Sequence, residues 1–342
     1  MIPHSRPAFG QAFSQALQQV VASGQVAMGE ETILLEQRVG SILGRKFSIG
    51  VDSGTSAISL ALRSLASHRS VKKVGIPAYT CSSVLYAVLA AGCEPVCMDC
   101  GEDLRLIPEL SLKQAASLDA VVLVHPFGMV EPLAAEKWPC PIIEDIAQSA
   151  GAELNRKPIG NFGEITVASF YATKPWGGAY GGMVLTDEEE LSNAVLSMRD
   201  PDAATSLQVY AGHHQLSDIH AVMVNVRLAL ANEERRSRRS HLLTMNEWFE
   251  SNEIRPVAGL HDGNGYRYII RTHGDADRWI EQMRRLGVGA ARPVQEPISR
   301  LLGIEASGAE SAWQSAVSIP LLADASEAEM EHIREAINAC IS

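Results

Sequence analysis

Between residues 47 and 187 the chain alternates short β-branched runs with stretches of helical periodicity. The runs predict strands at 47–51, 74–76, 120–124, 142–144, 166–170 and 182–185. Between them, Ala57, Leu60, Ala61 and Leu65 fall on one face of a helix over 56–67, and Leu85, Val88 and Leu89 on one face of a helix over 82–91. Strand, helix and strand in repetition imply a mostly parallel sheet covered by helices, whose ligands bind at the carboxyl ends of its strands. The texture changes near Leu216, where Ile219, Val222, Met223, Val226 and Leu230 mark a long amphipathic helix running into the charged stretch 233–239. Its RRSRR run reads as a solvated face. A strand over 265–271, a helix over 275–286 stopped by Gly287, and a last helix over 326–341 opened by the capping-box pattern Ser326-x-x-Glu329 complete the pattern. The expected architecture is α/β, with a large domain over 1–240 and a smaller C-terminal α+β domain over 241–342.

Charge narrows the partners. The 342 residues carry 29 Lys and Arg against 40 Asp and Glu, a net −11, with no basic tail to offset it. That balance argues against nucleic acid and anionic membranes as partners. The opening MIPHSRPAFG lacks the apolar core of an export signal, and no apolar run is long enough to cross a bilayer, so a soluble, cytoplasmic protein with reduced thiols is expected. Cys93, Cys97 and Cys100 have a spacing known from iron–sulfur sites, but the strand-like alternation of Val96 and Met98 sends successive side chains to opposite faces. The expectation is three inert thiols and no metal.

Three segments look chemical. The strand ending at Val51 runs into Asp52-Ser53-Gly54-Thr55-Ser56 and straight into a helix, which offers free N–H groups, hydroxyls and the positive end of a helix dipole. Such a start suits a phosphate, and it also caps helices with no ligand at all. The apolar strand at 142–144 leads to Asp145, with Gln148 just beyond. An Asp there serves as a metal ligand, a helix cap, or a fixed negative charge for a protonated heterocycle. The run from Ser169 to Lys174 precedes a glycine-rich stretch at 177–182, a setting for a partly desolvated amine able to form a Schiff base. A phosphate cradle, an acid for a ring nitrogen and an amine are the three fixtures that pyridoxal phosphate needs.

The order of these segments resembles that of fold type I pyridoxal-phosphate enzymes, and specifically the DegT/StrS family of sugar aminotransferases. VDSGTSAISLAL resembles the family's SGT-helix segment, and IPAYTCSSVLYAVLAAGCEPVCMD its PA-x-T segment. IIEDIAQSAGAELNRKPIGNFGEITVASFYATK resembles its EDAAQ and SF-x-x-TK segments. The resemblance implies a fold type I transferase in which Lys174 is the Schiff-base lysine and proton shuttle, and Asp145 keeps the pyridine nitrogen protonated. It places Gln148 beside the ring hydroxyl and Gly54, Thr55, Ser56 and Ser169 on the cofactor phosphate. It further implies a homodimer with shared sites and two half-reactions, from an amino acid such as L-glutamate to a ketone or aldehyde on a sugar or related polyol.

The sequence departs from the family pattern in four places. Cys81 stands where a ring-stacking Trp or Phe is common, as a small packing residue or a reactive thiol near the cofactor. His213 and Gln215 stand in place of an Asn and an Arg, of which the Asn reaches the phosphate in the neighbouring subunit; His213 retains the capacity to donate there. Tyr180 replaces a frequent Glu, and Ser299 the His of a P-x-H motif. Two other readings remain at this stage: a dehydratase-like enzyme using the same cofactor, against which Lys174 argues because the dehydratase branch carries a histidine there, and a cofactor-binding sensor or partner subunit without turnover.

Overall fold

The computed structural model describes residues 1–203, 210–249 and 254–341. Its central sheet has seven strands: β1 (Phe47–Val51), β2 (Lys73–Pro77), β3 (Glu94–Met98), β4 (Ala120–Val124), β5 (Ile142–Asp145), β6 (Ile165–Ser169) and β7 (Gly182–Thr186). They lie in the order β1-β7-β6-β5-β4-β2-β3. The pairs β2/β3, β2/β4, β4/β5 and β5/β6 are parallel, and β7 runs antiparallel to both β1 and β6. Two reversals restore the original direction, so β1, β5 and β6 all end at one edge of the sheet, in Val51, Asp145 and Ser169. The three chemical segments of the sequence therefore start from one edge.

Helices cover both faces. They are α1 (Gln11–Ser23), α2 (Glu30–Leu43), α3 (Gly54–Ala66), α4 (Ser82–Ala90), α5 (Pro108–Ala115), α6 (Glu189–Arg199) and α7 (Asp218–Glu247). On one face Leu60, Leu65, Val88 and Val195 pack against Ile143, Val167 and Val184; on the other Leu35, Val39 and Val224 pack against Ala168, Met183 and Leu185. Successive residues of β6 and β7 thus enter opposite cores, which is why these strands read as continuous apolar runs. Ser53 caps α3 by accepting the Ser56 N–H on its Oγ at 3.1 Å.

A separate antiparallel sheet, β8 (Arg255–Pro256), β9 (Tyr268–Arg271) and β10 (Ala316–Ile319), lies in the C-terminal part with α8 (Ala276–Arg285), α9 (Ile298–Leu301), α10 (Ser307–Ser315) and α11 (Glu327–Ile341). Its core of Tyr268, Ile270, Trp279, Val317 and Ile333 is continuous with Ala78, Tyr79, Phe127 and Met129 beside the central sheet. The Ser326–Glu329 capping box forms in both directions, with the Ser326 N–H donating to Glu329 Oε2 and the Glu329 N–H to Ser326 Oγ. The first residues of the chain return here: Ile2 bridges Val288, and the Gly289 N–H donates to the Ile2 carbonyl at 2.8 Å.

Two local expectations change. The strand expected over 265–271 begins at Tyr268, because the preceding residues are drawn into a loop by Asn264, whose side chain donates to the carbonyls of Gln148 and Ala150. The RRSRR run is not wholly solvated: Arg238 is largely buried beside Glu234, and Arg235 donates to the Gly151 carbonyl at 2.7 Å. Helix α7 runs unbroken through residue 240. All six cysteines are free, and burial pushes Cys97 up to about 11 and Cys100 up to about 12. Among the described residues no group of His, Cys, Asp and Glu is placed to hold a metal ion, and no helix is long and apolar enough to cross a membrane.

Candidate active site

At the shared edge of β1, β5 and β6 lies a cavity of about 370 Å³. Gly54, Thr55, Cys81, Asp145, Gln148, Ser169 and Lys174 all line it, although they come from four separate stretches of chain. Two sequence candidates lie elsewhere. Ser56 spends its N–H and hydroxyl on the cap with Ser53, at 3.1 and 2.9 Å, and does not line the cavity. His213 is exposed and outside the cavity of its own chain. Gln215 is half-buried and bridges Val51 through its backbone.

The end opposite Lys174 is made by close backbone approach. A Cβ on Gly54 would lie 2.7 Å from Ser169 Cβ, and one on Gly182 only 2.4 Å from the Ser53 carbonyl oxygen. Glycines at both places let β7 and the Ser169 turn press against the first turn of α3, leaving the N–H groups of Gly54 and Thr55 without partners inside the helix. This hydroxyl-rimmed helix start fits a phosphate in its dianionic form.

Asp145 is 5% exposed. Its Oδ1 accepts the Ala147 N–H at 2.8 Å, while Oδ2 has no hydrogen-bond partner among the described residues. Burial pushes its pKa up, against the pull of the Ala147 N–H, Lys174 and His125. A buried carboxylate facing a cavity with one oxygen unpaired is the complement of a protonated ring nitrogen.

Behind Asp145 is a network that the sequence reading did not find. His125 is fully buried and its Nδ1 accepts the Glu131 N–H at 2.9 Å, so Nε2 carries the proton and donates to Glu144 Oε1 at 2.9 Å. Glu144 also accepts N–H bonds from Gly160 on Oε1 and from Phe162 and Gly163 on Oε2, at 2.5, 2.8 and 3.1 Å. Burial works to raise its pKa, yet His125 and these amides together hold it below the usual carboxylate value. The only sequence signal was an acid immediately before Asp145 in an otherwise apolar strand.

Lys174 sits in a tight turn between β6 and β7. Its N–H donates to the Tyr171 carbonyl at 2.8 Å and its carbonyl accepts the Gly177 N–H at 2.8 Å. A Cβ on Gly177 would come within 2.4 Å of the Tyr171 carbonyl, so the turn closes only with glycine there. The lysine is half-buried, and Nζ lies 5.6 Å from the centroid of the Tyr266 ring. Tyr266 was also missed. The Asn264 loop delivers it, the Tyr266 N–H donating to Asn264 Oδ1 at 2.9 Å. Although burial pushes the phenol upward, Lys174 and Arg267 pull it below its ordinary pKa.

The sequence profile of the DegT/DnrJ/EryC1/StrS aminotransferase family matches residues 7–338. The chain belongs to this family. Its members are pyridoxal-phosphate-dependent aminotransferases, and the cavity just described fits that cofactor at both its phosphate and its ring-nitrogen ends. Solved structures share the fold over nearly their whole length. The Helicobacter pylori aminotransferase PseC, involved in the biosynthesis of pseudoaminic acid, is 21% identical with a TM-score of 0.89, covering 99% of each chain. The aminotransferase TlmJ from Streptoalloteichus hindustanus is 22% identical with a TM-score of 0.90, again over 99% of each chain. The enzyme GDP-4-keto-6-deoxymannose-3-dehydratase (ColD), solved with bound GDP-perosamine, is 17% identical with a TM-score of 0.88, covering 98% of this chain and 100% of its own. One fold thus houses both amination and dehydration, and the choice between them rests on side chains.

Proposed function

We propose that this aminotransferase moves an amino group from an amino acid donor, L-glutamate, to a ketone or aldehyde on a sugar or sugar-like acceptor. The observation that carries the reading is the convergence of Lys174, Asp145 and the α3 start with Ser169 on one cavity. Pyridoxal 5′-phosphate, when bound, supplies a ring that accepts the electron pair left by a departing substrate proton. Lys174 holds the cofactor and, once released, moves a proton at Nζ between cofactor and substrate carbon. The unpaired Oδ2 of Asp145 holds the ring nitrogen protonated. Gln148, its Oε1 fixed by the Phe127 N–H at 2.7 Å, would lie beside the ring hydroxyl. Gly54, Thr55 and Ser169 bind the phosphate, and Ser56 supports them by fixing the Ser53 cap. Cys81 contributes a small surface beside the ring.

The same proposal includes a homodimer working in the cytoplasm, in which His213 donates to the partner's cofactor phosphate. Its exposure outside its own cavity supports that placement. A division near residue 240 is supported by the separate three-stranded sheet of the C-terminal part, although α7 itself crosses that position. A lysine at 174 favours amination over a dehydratase-like reaction.

The test is the visible spectrum of purified protein before and after L-glutamate, beside Lys174→Ala. The lysine-bound cofactor band is expected in the wild type, to be replaced by the amine-form band with glutamate and to be absent in the variant. A band indifferent to every amino donor favours a sensor or partner subunit. Absence of any band after reconstitution overturns the reading.

A further inference from the structure

The cofactor half of the cavity is furnished by several segments between residues 53 and 181, and apart from Lys174 no Lys or Arg lines it. A second cavity of about 330 Å³ opens onto the same Lys174 and is bordered by Gln148, Cys81, Tyr266, Arg267 and Glu296. Apart from Lys174, whose amine is committed to the cofactor, Arg267 is its sole Lys or Arg. Arg267 also borders a further cavity of about 360 Å³ that Lys174 lines as well. The remaining arginines there already have acids: Arg6 pairs with Asp324 and Glu329, and Arg227 and Arg238 with Glu234. Glu296 is engaged by Arg300 at 3.4 Å. Arg267 has no carboxylate partner among the described residues.

Its guanidinium is nonetheless held in place. Nη1 donates to Ser5 Oγ at 2.8 Å and to the His4 carbonyl at 3.3 Å, Nη2 donates to Tyr266 Oη at 3.0 Å, and Cζ lies 4.2 Å from the Tyr266 ring centroid. These bonds leave Nε–H and one Nη2–H unused. Because Lys174 Nζ lies 5.6 Å from the same centroid, the two cations are no more than about 10 Å apart, a distance that one substrate molecule bridges. A half-buried, preorganised guanidinium with free donors and no acid is built for a planar or tetrahedral oxyanion.

We propose that Arg267 is the anion anchor of the substrate half of the site, receiving a carboxylate or phosphate oxygen of the substrate whose reacting carbon lies at Lys174. The inference rests on the aminotransferase reading and adds to it the residue that fixes substrate class. A carboxylate would come from the amino donor, a phosphate from the acceptor.

The experiment compares cofactor-loaded wild type, Arg267→Gln and Arg267→Lys. The KM of the donor half-reaction is measured with L-glutamate and with L-alanine, and binding of glutarate and of inorganic pyrophosphate is measured by calorimetry. Losing a charge-assisted contact is expected to weaken the anion by about 10- to 100-fold in Arg267→Gln, with part recovered in Arg267→Lys and the lysine-bound cofactor band retained. A shift for L-glutamate and glutarate alone assigns a side-chain carboxylate, a shift for both amino acids the α-carboxylate, and a shift for pyrophosphate alone an acceptor phosphate. All four constants within twofold of wild type overturn the proposal, including by way of Arg267→Lys should Arg267→Gln fail to fold. A wild type without the cofactor band overturns the underlying reading, and this proposal with it.

Discussion

Glu144 accepts four hydrogen bonds, and its replacement by glutamine removes a charge with almost no change of shape. Oε1 takes His125 Nε2–H and the Gly160 N–H, while Oε2 takes the N–H groups of Phe162 and Gly163. A glutamine offers one oxygen and one NH2 group. With the oxygen toward His125, the NH2 faces two backbone donors that cannot turn away. With the oxygen toward Phe162, the NH2 faces the Gly160 N–H and His125. Accepting it on Nε2 would force the imidazole proton to Nδ1, against the Glu131 N–H. In both orientations two buried donors lose their acceptor, at about 1–3 kcal/mol each, so Glu144→Gln should cost about 2–6 kcal/mol. That is a large share of the usual 5–15 kcal/mol of a folded protein. Equilibrium urea unfolding of the apo protein reads it as a drop in midpoint at similar slope. The pH dependence has a definite sign. Because the folded carboxyl is held below its ordinary pKa, its contribution is complete above about pH 4.3 and is lost as the pH falls through the folded value. The gap between wild type and variant should therefore be flat from pH 8 to 5 and shrink below that. A loss under about 1 kcal/mol at pH 7, or a gap that widens in acid, would refute the assigned network.

Two further outcomes test other parts of the structure. Gly182→Ala places a Cβ 2.4 Å from the Ser53 carbonyl oxygen and 2.7 Å from the Gly54 nitrogen, so the α3 start must shift; we expect at least about tenfold weaker cofactor binding by titration and about 1–3 kcal/mol lower stability, and unchanged affinity would show that this approach is not what shapes the phosphate end. His4 is held down to about 3, first by burial and then by Arg267 and Arg284, so the folded state resists a proton that the unfolded chain binds near its ordinary pKa. Stability should accordingly fall by about 1.4 kcal/mol per pH unit between pH 6.5 and about 3 through this group, and His4→Gln should flatten that limb of the unfolding curve.

The alternation of apolar runs and helical periods made six of the seven strands legible, because buried strands are apolar on both faces and their helices carry a clear stripe; the edge strand at 94–98 is only partly buried and showed no more than the alternation of Val96 and Met98. That the candidate cofactor residues would gather in one place was legible for a related reason. Gly54, Thr55, Asp145, Gln148, Ser169 and Lys174 lie at strand ends or a few residues beyond them, and strands of one direction bring their ends to one edge whatever the rest of the chain does. Ser56 shows the limit of such reasoning: spacing places it at the helix start, but only the geometry shows its hydroxyl and N–H turned inward to Ser53. His125 and Glu144 were invisible because a buried polar pair has no periodicity of its own; its signature is a set of partners at positions 131, 160, 162 and 163 that only folding collects.

The substrate side was illegible for a stronger reason. Tyr266 owes its place to Asn264, which reaches back to the carbonyls of Gln148 and Ala150, and Arg267 owes its orientation to His4 and Ser5. These contacts span more than 100 residues in one case and more than 250 in the other. The N-terminal segment is itself tied to the C-terminal part through Ile2, Val288 and Gly289. The candidate cofactor contacts and the proposed anion anchor are consequently carried by different pieces of chain, whose cavities share Cys81, Gln148 and Lys174. Perturbing the α3 start should move cofactor affinity while sparing the donor's anion contact, and perturbing Arg267 should do the reverse. That separation follows from the connectivity alone, since no hydrogen bond joins Arg267 to the phosphate end among the described residues.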